Sequence, residues 1–212
     1  MVDIFDTQFD ENKFEISDNR IAKGEDVNLS AKHPTLRNLT IAVGWDANAF
    51  DSDPPDVDLS CFLLNRNDKT RINEDFVFYN NPESKEKGVI YGGDNRTGAG
   101  EGDDESISLD LQAIPFDILR LMFVISIYQG EEREQTLSKI RNCYLRLLLT
   151  DNGEEILRYE LDPDIEECKE TGMLVASLNR EGPKWHLVAL GESVPGGLPT
   201  IATNYDIIVQ SS

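Results

Sequence analysis

The stretch Gly92-Gly93-Asp94-Asn95-Arg96-Thr97-Gly98-Ala99-Gly100-Glu101-Gly102-Asp103-Asp104-Glu105 concentrates the chemistry of this chain. An Asp-Asn start and four further carboxylates, Glu101, Asp103, Asp104 and Glu105, are set among five glycines. Carboxylates held so close repel one another and rise in pKa unless a cation sits among them, so a folded loop of this composition is expected to bind a metal ion. Glycine lets the backbone turn sharply and lets main-chain carbonyls join the carboxylates around a hard cation. Calcium fits best, because it accepts oxygen donors in irregular geometry, whereas magnesium demands an octahedron and gives up its water reluctantly. A solvated acidic loop that holds no ion is the alternative.

Two familiar loops are excluded by their own rules. Residues 94–105 span twelve positions with acids at both ends, but an EF-hand needs Asp or Asn at the third and fifth positions and Gly at the sixth. This loop has Arg96, Gly98 and Ala99 there. A phosphate-binding loop needs Gly-Lys-Ser or Gly-Lys-Thr, which is missing, and an acidic loop repels phosphate.

A second acidic cluster lies upstream. Trp45-Asp46 ends an apolar run, and Asp51, Asp53, Asp56 and Asp58 follow. Residues two apart share one face of a strand, so Asp56 and Asp58 can address one ion, while Asp51 and Asp53 beside Pro54-Pro55 read as solvated loop acids. Loops of a sandwich collect at its two ends, where this cluster and the glycine loop can meet in one composite site.

The rest of the composition narrows the function. The chain has 212 residues, with 40 Asp and Glu against 20 Lys and Arg, a formal net charge of −20. That field repels nucleic acid and anionic lipid and attracts cations, while also keeping the protein soluble. Cys61, Cys143 and Cys168 are too widely spaced for a Cys-x-x-Cys metal site or a disulfide framework, and read as reduced thiols. His33 and His186 are the only histidines, poor material for a zinc site or a Ser-His-Asp triad. With no apolar leader or membrane-length stretch, a soluble cytoplasmic protein is expected.

The elements that must position these residues read as strands. Residues 1–20 are acidic and polar with scattered phenylalanines, an N-terminal extension, and residues 21–212 form one domain. Short apolar runs alternate with period two between turn residues. They predict strands at 27–29, 39–45, 57–64, 76–79, 88–91, 106–111, 120–128, 143–149, 156–161, 172–178 and 185–190. The fold class is therefore all-β, an antiparallel β-sandwich with a few short helices. Asp151-Asn152-Gly153 predicts a tight hairpin, and 179–183 a second one. Residues 131–140 have the charge and leucine content of a two- or three-turn helix, and Asp162-Pro163 opens a shorter one with Asp162 as its cap. Phe76, Phe78, Tyr79, Tyr144 and Trp185 are expected in the core or on sheet faces, and Cys61 and Cys143 buried.

Gly44-Trp45-Asp46, Asp56-Val57-Asp58-Leu59-Ser60, Asp75-Phe76-Val77-Phe78-Tyr79-Asn80-Asn81, the glycine loop itself and Ile127-Tyr128 occur in an order and spacing that resemble the TerD family, over residues 21–201. The resemblance implies a β-sandwich that binds one or two Ca2+ ions through acidic loops. The implied ligands are Asp46, Asp56, Asp58, Asp94, Asn95, Glu101, Asp103, Asp104 and Glu105. It further implies a role in tellurite resistance and stress response within a membrane-associated assembly; the residues themselves add the expectation of a non-enzymatic interaction module for other proteins, and the acidic field that of no nucleic-acid partner.

The chain departs from the family's pattern in places. Gln129-Gly130 stands where Asp-Ala is usual, which removes a carboxylate near the expected site, and Leu137-Ser138-Lys139 replaces Phe-Gly-Gln. Residues 185–191 keep the tryptophan and the terminal glycine but change the middle. Two other readings are open on the residues. One is a calcium-dependent membrane module, for which Arg96 and Phe50 are the candidate loop-tip contacts. The other is a metal-dependent hydrolase, which lacks a candidate nucleophile or His base within these motifs.

Overall fold

The computed structural model describes residues 19–46, 53–93 and 102–208. In chain order the strands are β1 (Arg20–Ile21), β2 (Asp26–Asn28), β3 (Asn38–Asp46), β4 (Val57–Asn65), β5 (Phe76–Val77), β6 (Val89–Gly93), β7 (Glu105–Asp110), β8 (Ile118–Ile127), β9 (Arg141–Leu149), β10 (Glu155–Glu160), β11 (Gly172–Glu181) and β12 (Lys184–Ser193). Three short helices accompany them: α1 (Leu29–Lys32), α2 (Asp162–Ile165) and α3 (Gly197–Asn204). None is long and apolar enough to cross a membrane.

The strands form two six-stranded sheets. Sheet 1 runs β1-β10-β9-β3-β7-β6 and sheet 2 runs β2-β12-β11-β8-β4-β5, antiparallel throughout except where β1 lies parallel to β10. Alternation explains the stacking. In β3, Leu39, Ile41, Val43 and Trp45 point inward; in β9, Cys143, Leu145 and Leu147 do, and they meet Leu59, Cys61, Phe123 and Ile125 from the facing sheet. Each such side chain contributes about 1.5–3 kcal/mol relative to exposure, and one continuous cluster of them joins the layers.

Strand β4 breaks the alternation, being buried from Val57 to Leu64. Its outward Phe62 and Leu64 join Phe76, Met122, Val124, Ile201, Ala202 and Ile207 in a second apolar cluster, because α3 and the segment after it cover that part of sheet 2. The unbroken run Cys61-Phe62-Leu63-Leu64 is the sequence counterpart of a strand covered on both faces.

Every predicted strand is present, within a few residues at its ends, and β1 is an addition. The 179–183 hairpin closes with Glu181 opposite Lys184 and Gly182 at φ +59°. The hairpin between β9 and β10 also forms, but through a longer turn than the tight one expected. Only Gly153 takes positive φ (+71°), and Asn152 instead accepts the Glu154 N–H through its side chain at 3.0 Å.

The helix expected at 131–140 does not form. Glu134 lies at φ +51°, the segment is pinned by Gln135 donating to the Asp53 carbonyl and by the Leu137 N–H donating to Glu170, and only a 3-10 turn, Leu137–Lys139, survives. The Asp162 helix exists as a single turn, but the carboxylate of Asp162 accepts the N–H groups of Asn142 and Cys143 instead of capping it. Asp53, expected to be a solvated loop acid, is held by the guanidinium of Arg133 and by Gln135.

Cys61 and Cys143 are fully buried and Cys168 nearly so, all as free thiols. Phe76 and Trp185 are in the core, and Phe78 and Tyr144 are half-buried on sheet faces; Tyr79 is 37% exposed.

Candidate metal-binding end of the sandwich

The glycine loop is the connection between β6 and β7, leaving sheet 1 after Gly93 and re-entering it at Glu105. The same end of the molecule receives the last residues of β3, since Val43 pairs with Glu105, and the chain then crosses to sheet 2, where β4 begins. Strand ends thus gather as a sandwich requires. Asp94, Asn95 and Glu101 lie outside the described residues; the other six candidate ligands can be placed, and they divide over three surfaces.

Asp104 and Glu105 go inward. Asp104 is 8% exposed and its Oδ2 accepts the Trp45 N–H at 3.0 Å, while its own N–H donates to the Val43 carbonyl at 3.0 Å. Glu105 shares the inward parity of Ile107 and Leu109 on β7 and is 2% exposed. Adjacent buried carboxylates are costly unless positive charge or donors face them, which makes this pair a candidate anchor for a cation at the foot of the loop.

Asp103 and Asp46 lie on the outer face of sheet 1. Asp103 receives a two-pronged guanidinium from Arg146, at 2.7 and 2.9 Å, and is touched by the Tyr144 hydroxyl, which donates to the Gly102 carbonyl at 2.9 Å. The bond to Asp103 raises the Arg146 pKa further, and burial raises that of Tyr144. Arg158 lies 3.7 Å above the Tyr144 ring, so the ring is clamped between strands. Asp46, exposed at the end of β3, accepts from the Asn142 amide at 2.5 Å and lines a cleft of about 460 Å3 with Gly102, Tyr144, Glu160 and Asp162.

Gly44 is required here. A Cβ at that position would collide with the Tyr144 hydroxyl and come within 2.9 Å of the Gly102 carbonyl.

Asp58 and Asp56 belong to sheet 2. Asp58 is 8% exposed, opposite Ser126, on the outward side of β4 with Ser60 and Phe62. Asp56, one residue before β4, accepts the Tyr128 N–H through its carbonyl at 2.8 Å, and after the dominant bond from Asp53 it adds to the raised Arg133 pKa. Gln129, which stands where an acid is usual in the resembling family, adopts φ +50°, a conformation that among non-glycine residues Asp and Asn adopt more readily than Gln.

Among the described residues no three His, Cys, Asp or Glu side chains converge closely enough to hold an ion. Donor chemistry nonetheless suits a hard cation: carboxylates, an amide and main-chain carbonyls. Arg146 and Asn142 went unnoticed in the sequence, and Tyr144 was read only as a core or sheet-face aromatic. Their signal was available, since Tyr144 and Arg146 are the outward positions of an alternating strand at the mouth of the acidic loop.

A two-layer antiparallel sandwich carrying an acidic, glycine-rich connection at one end defines the class of protein. Residues 18–205 match the family model of the TerD domain, and the chain belongs to the TerD family. It is 38% identical over 187 residues to tellurium resistance protein TerD of Serratia marcescens, covering 88% of this chain and 96% of that protein. General stress protein 16U of Bacillus subtilis (strain 168) is also 38% identical, over 190 residues, covering 89% and 97%. The solved structure of a homologue of telluride resistance protein from Streptomyces coelicolor A3(2) superposes with a TM-score of 0.64 at 17% identity, covering 79% of this chain and 95% of that one.

Proposed function

We propose that this protein is a non-enzymatic, calcium-binding member of the TerD family that works in the cytoplasm as an interaction module in tellurium resistance and stress response. The biological role rests on the names of its relatives, tellurium resistance protein TerD and general stress protein 16U. The observation that carries the calcium reading is the pair Asp104 and Glu105, buried side by side at the foot of a glycine loop that supplies further acids. Negative charge packed this way favours a cation at the loop.

Asp104 and Glu105 would anchor the ion from the sandwich, with Asp94, Asn95 and Glu101 closing on it from the loop. Asp46 and Asp103 stand at the rim on one side, and Asp56 and Asp58 belong to the opposite sheet, where a second ion would draw its ligands. The calcium would neutralise the acids and fix the loop as a surface for a protein partner. A non-catalytic role is supported by the raised pKa of the buried thiols Cys61 and Cys143, and by His186 pairing with Asp26 at the β2–β12 edge.

Calorimetric titration of chelator-treated protein tests the reading. Calcium should bind with one or two sites per chain and at least about tenfold more tightly than magnesium. Equal affinity for the two ions, or no heat with either, would remove it.

A further inference from the structure

On the far side of the same sheet from the core, α3 and the aromatic ladder of sheet 2 leave a groove between them. Phe62, Phe76 and Phe78 stack at centroid separations of 4.2 and 4.3 Å, and Phe78 meets Tyr79 edge-on at 5.2 Å. Facing this ladder are Leu198, Pro199 and Ala202 of α3, with Ile207 and Ile208 at one end, and the space enclosed is about 520 Å3. Past Phe78 and Tyr79 it continues into a second hollow of about 270 Å3, floored by Ser126 and Asp58 and walled by Tyr128, Gln129, Glu131 and Glu132.

Two properties mark the groove as a docking surface. Tyr79, Tyr128 and Ile208, respectively 37%, 41% and 86% exposed, are three of the six large apolar side chains left open among the described residues, and all three line it. Open apolar side chains gathered in one place signal an interaction site, whereas scattered ones do not. The charge is also one-sided: Glu74 flanks the apolar half, Glu131 and Glu132 flank the other, and among the described residues no lysine, arginine or histidine lines either hollow. Tyrosine rings beside carboxylates recognise alkylammonium and guanidinium groups.

We propose that this groove docks a basic, apolar peptide segment of a partner protein, its aliphatic or aromatic side chains seated between α3 and Phe76–Tyr79 and its lysine or arginine at Tyr128, Glu131 and Glu132. This deepens the interaction-module reading by naming the surface and the chemistry of the partner. It is separable from the calcium reading, because of its lining only Asp58 belongs to the expected ion ligands.

The test uses three synthetic peptides of about a dozen residues: one alternating Leu or Phe with Lys, one with Glu in place of Lys, and one keeping the lysines but with Ser in place of the apolar residues. Binding is read by fluorescence anisotropy and mapped by amide shifts, with calcium and with chelator. The basic apolar peptide should bind at least about tenfold more tightly than either control, with shifts confined to the groove. Ile208→Asp and the double variant Glu131→Lys/Glu132→Lys change exposed side chains and leave the fold intact, and each should weaken that peptide at least about fivefold.

Equal binding of both lysine peptides would reduce the effect to general attraction by a −20 protein and overturn the proposal. So would full affinity in both variants, or shifts mapped elsewhere. Self-association in sedimentation that Ile208→Asp abolishes would assign the groove to a second copy of the chain, and cosedimentation with neutral phosphatidylcholine vesicles that it abolishes would assign it to a lipid surface. Selective peptide binding without any calcium response would leave this surface standing and remove only the ion.

Discussion

Asp103 and Arg146 show how one side-chain pair can set the behaviour of a neighbouring loop. The carboxylate is 20% exposed and the guanidinium 26%, and their two-pronged bond fixes the first residues after the glycine loop against β9. An ion that recruited Asp103 would have to displace Arg146, so the arginine is an internal competitor for calcium. Arg146→Met should therefore tighten calcium binding severalfold while lowering metal-free stability by about 1 kcal/mol, a size set by the partial exposure of the pair. Calorimetry and urea unfolding of the same variant check both halves, and calcium affinity that falls or stays fixed would place Asp103 outside the ion's reach. The acids of this end were legible in the sequence because carboxylates among glycines are a chemical signal by themselves. Their division over three surfaces was not, since the face a residue takes depends on strand register: Glu105 points inward with Ile107, while Asp103 reaches the Arg146 side. Nor was the need for Gly44, which follows from the approach of Tyr144 across β3 and β9.

At the scale of elements, period-two alternation carried most of the fold, because each buried strand must keep one face apolar. Strands were found wherever that pattern held, and β1, only two residues long, was too short to have one. Residues 131–140 failed as a helix for the converse reason. Local charge and leucine content favoured it, but Arg133, Gln135 and Leu137 are each spent on tertiary partners, and those contacts outweigh the few tenths of a kcal/mol per residue that propensity offers. Helix α3 went unpredicted because Gly197, Pro199 and two threonines obscure its pattern, although its Ile201 and Ala202 are fully buried against Phe62 and Val124. That packing gives a direct test of whether α3 is integral to the sheet. Ile201→Ala should cost about 2–4 kcal/mol in denaturant unfolding with an unchanged slope. A loss below about 1 kcal/mol would mean that α3 sits loosely on sheet 2 and that its groove is a movable wall.

Over the whole molecule, charge and burial act on stability in opposite pH ranges. Burial pushes up the Tyr159 phenol, which donates to Asp164 at 2.5 Å, and it also raises the Tyr144 and Tyr205 phenols and the Cys61 and Cys143 thiols. All of these are favoured neutral in the folded state, so their contribution is complete below the unfolded values, 9.0 for the thiols and 10.0 for the phenols, and is lost as pH rises from there toward the folded values. The urea midpoint should hold between about pH 7 and 8.5 and fall steadily above about 9, with a shallower fall in Tyr159→Phe, and an unchanged slope in that variant would exclude Tyr159 as a cause. Calcium should act near neutral pH and through the acids instead. An ion that binds only the folded state adds about 2.7 kcal/mol at a hundredfold excess over its Kd, and a domain of this size shifts by roughly 2–4 °C in Tm per kcal/mol, so the gain should be about 5–10 °C. Asp104→Asn separates ligation from architecture. Its side chain keeps an oxygen for the Trp45 N–H, so the link between the loop's foot and β3 survives while one charge beside Glu105 disappears. The metal-free variant should then melt at or above the metal-free parent, because repulsion at the foot is relieved, yet its calcium-induced gain should shrink to less than about half. Asp94→Asn should behave the same way if the loop closes on the ion from above, and Asp58→Asn, from the outward side of the other sheet, should leave most of the gain in place. A full gain in Asp94→Asn and Asp104→Asn together with its loss in Asp58→Asn would move the stabilising ion to the sheet 2 acids and away from the glycine loop.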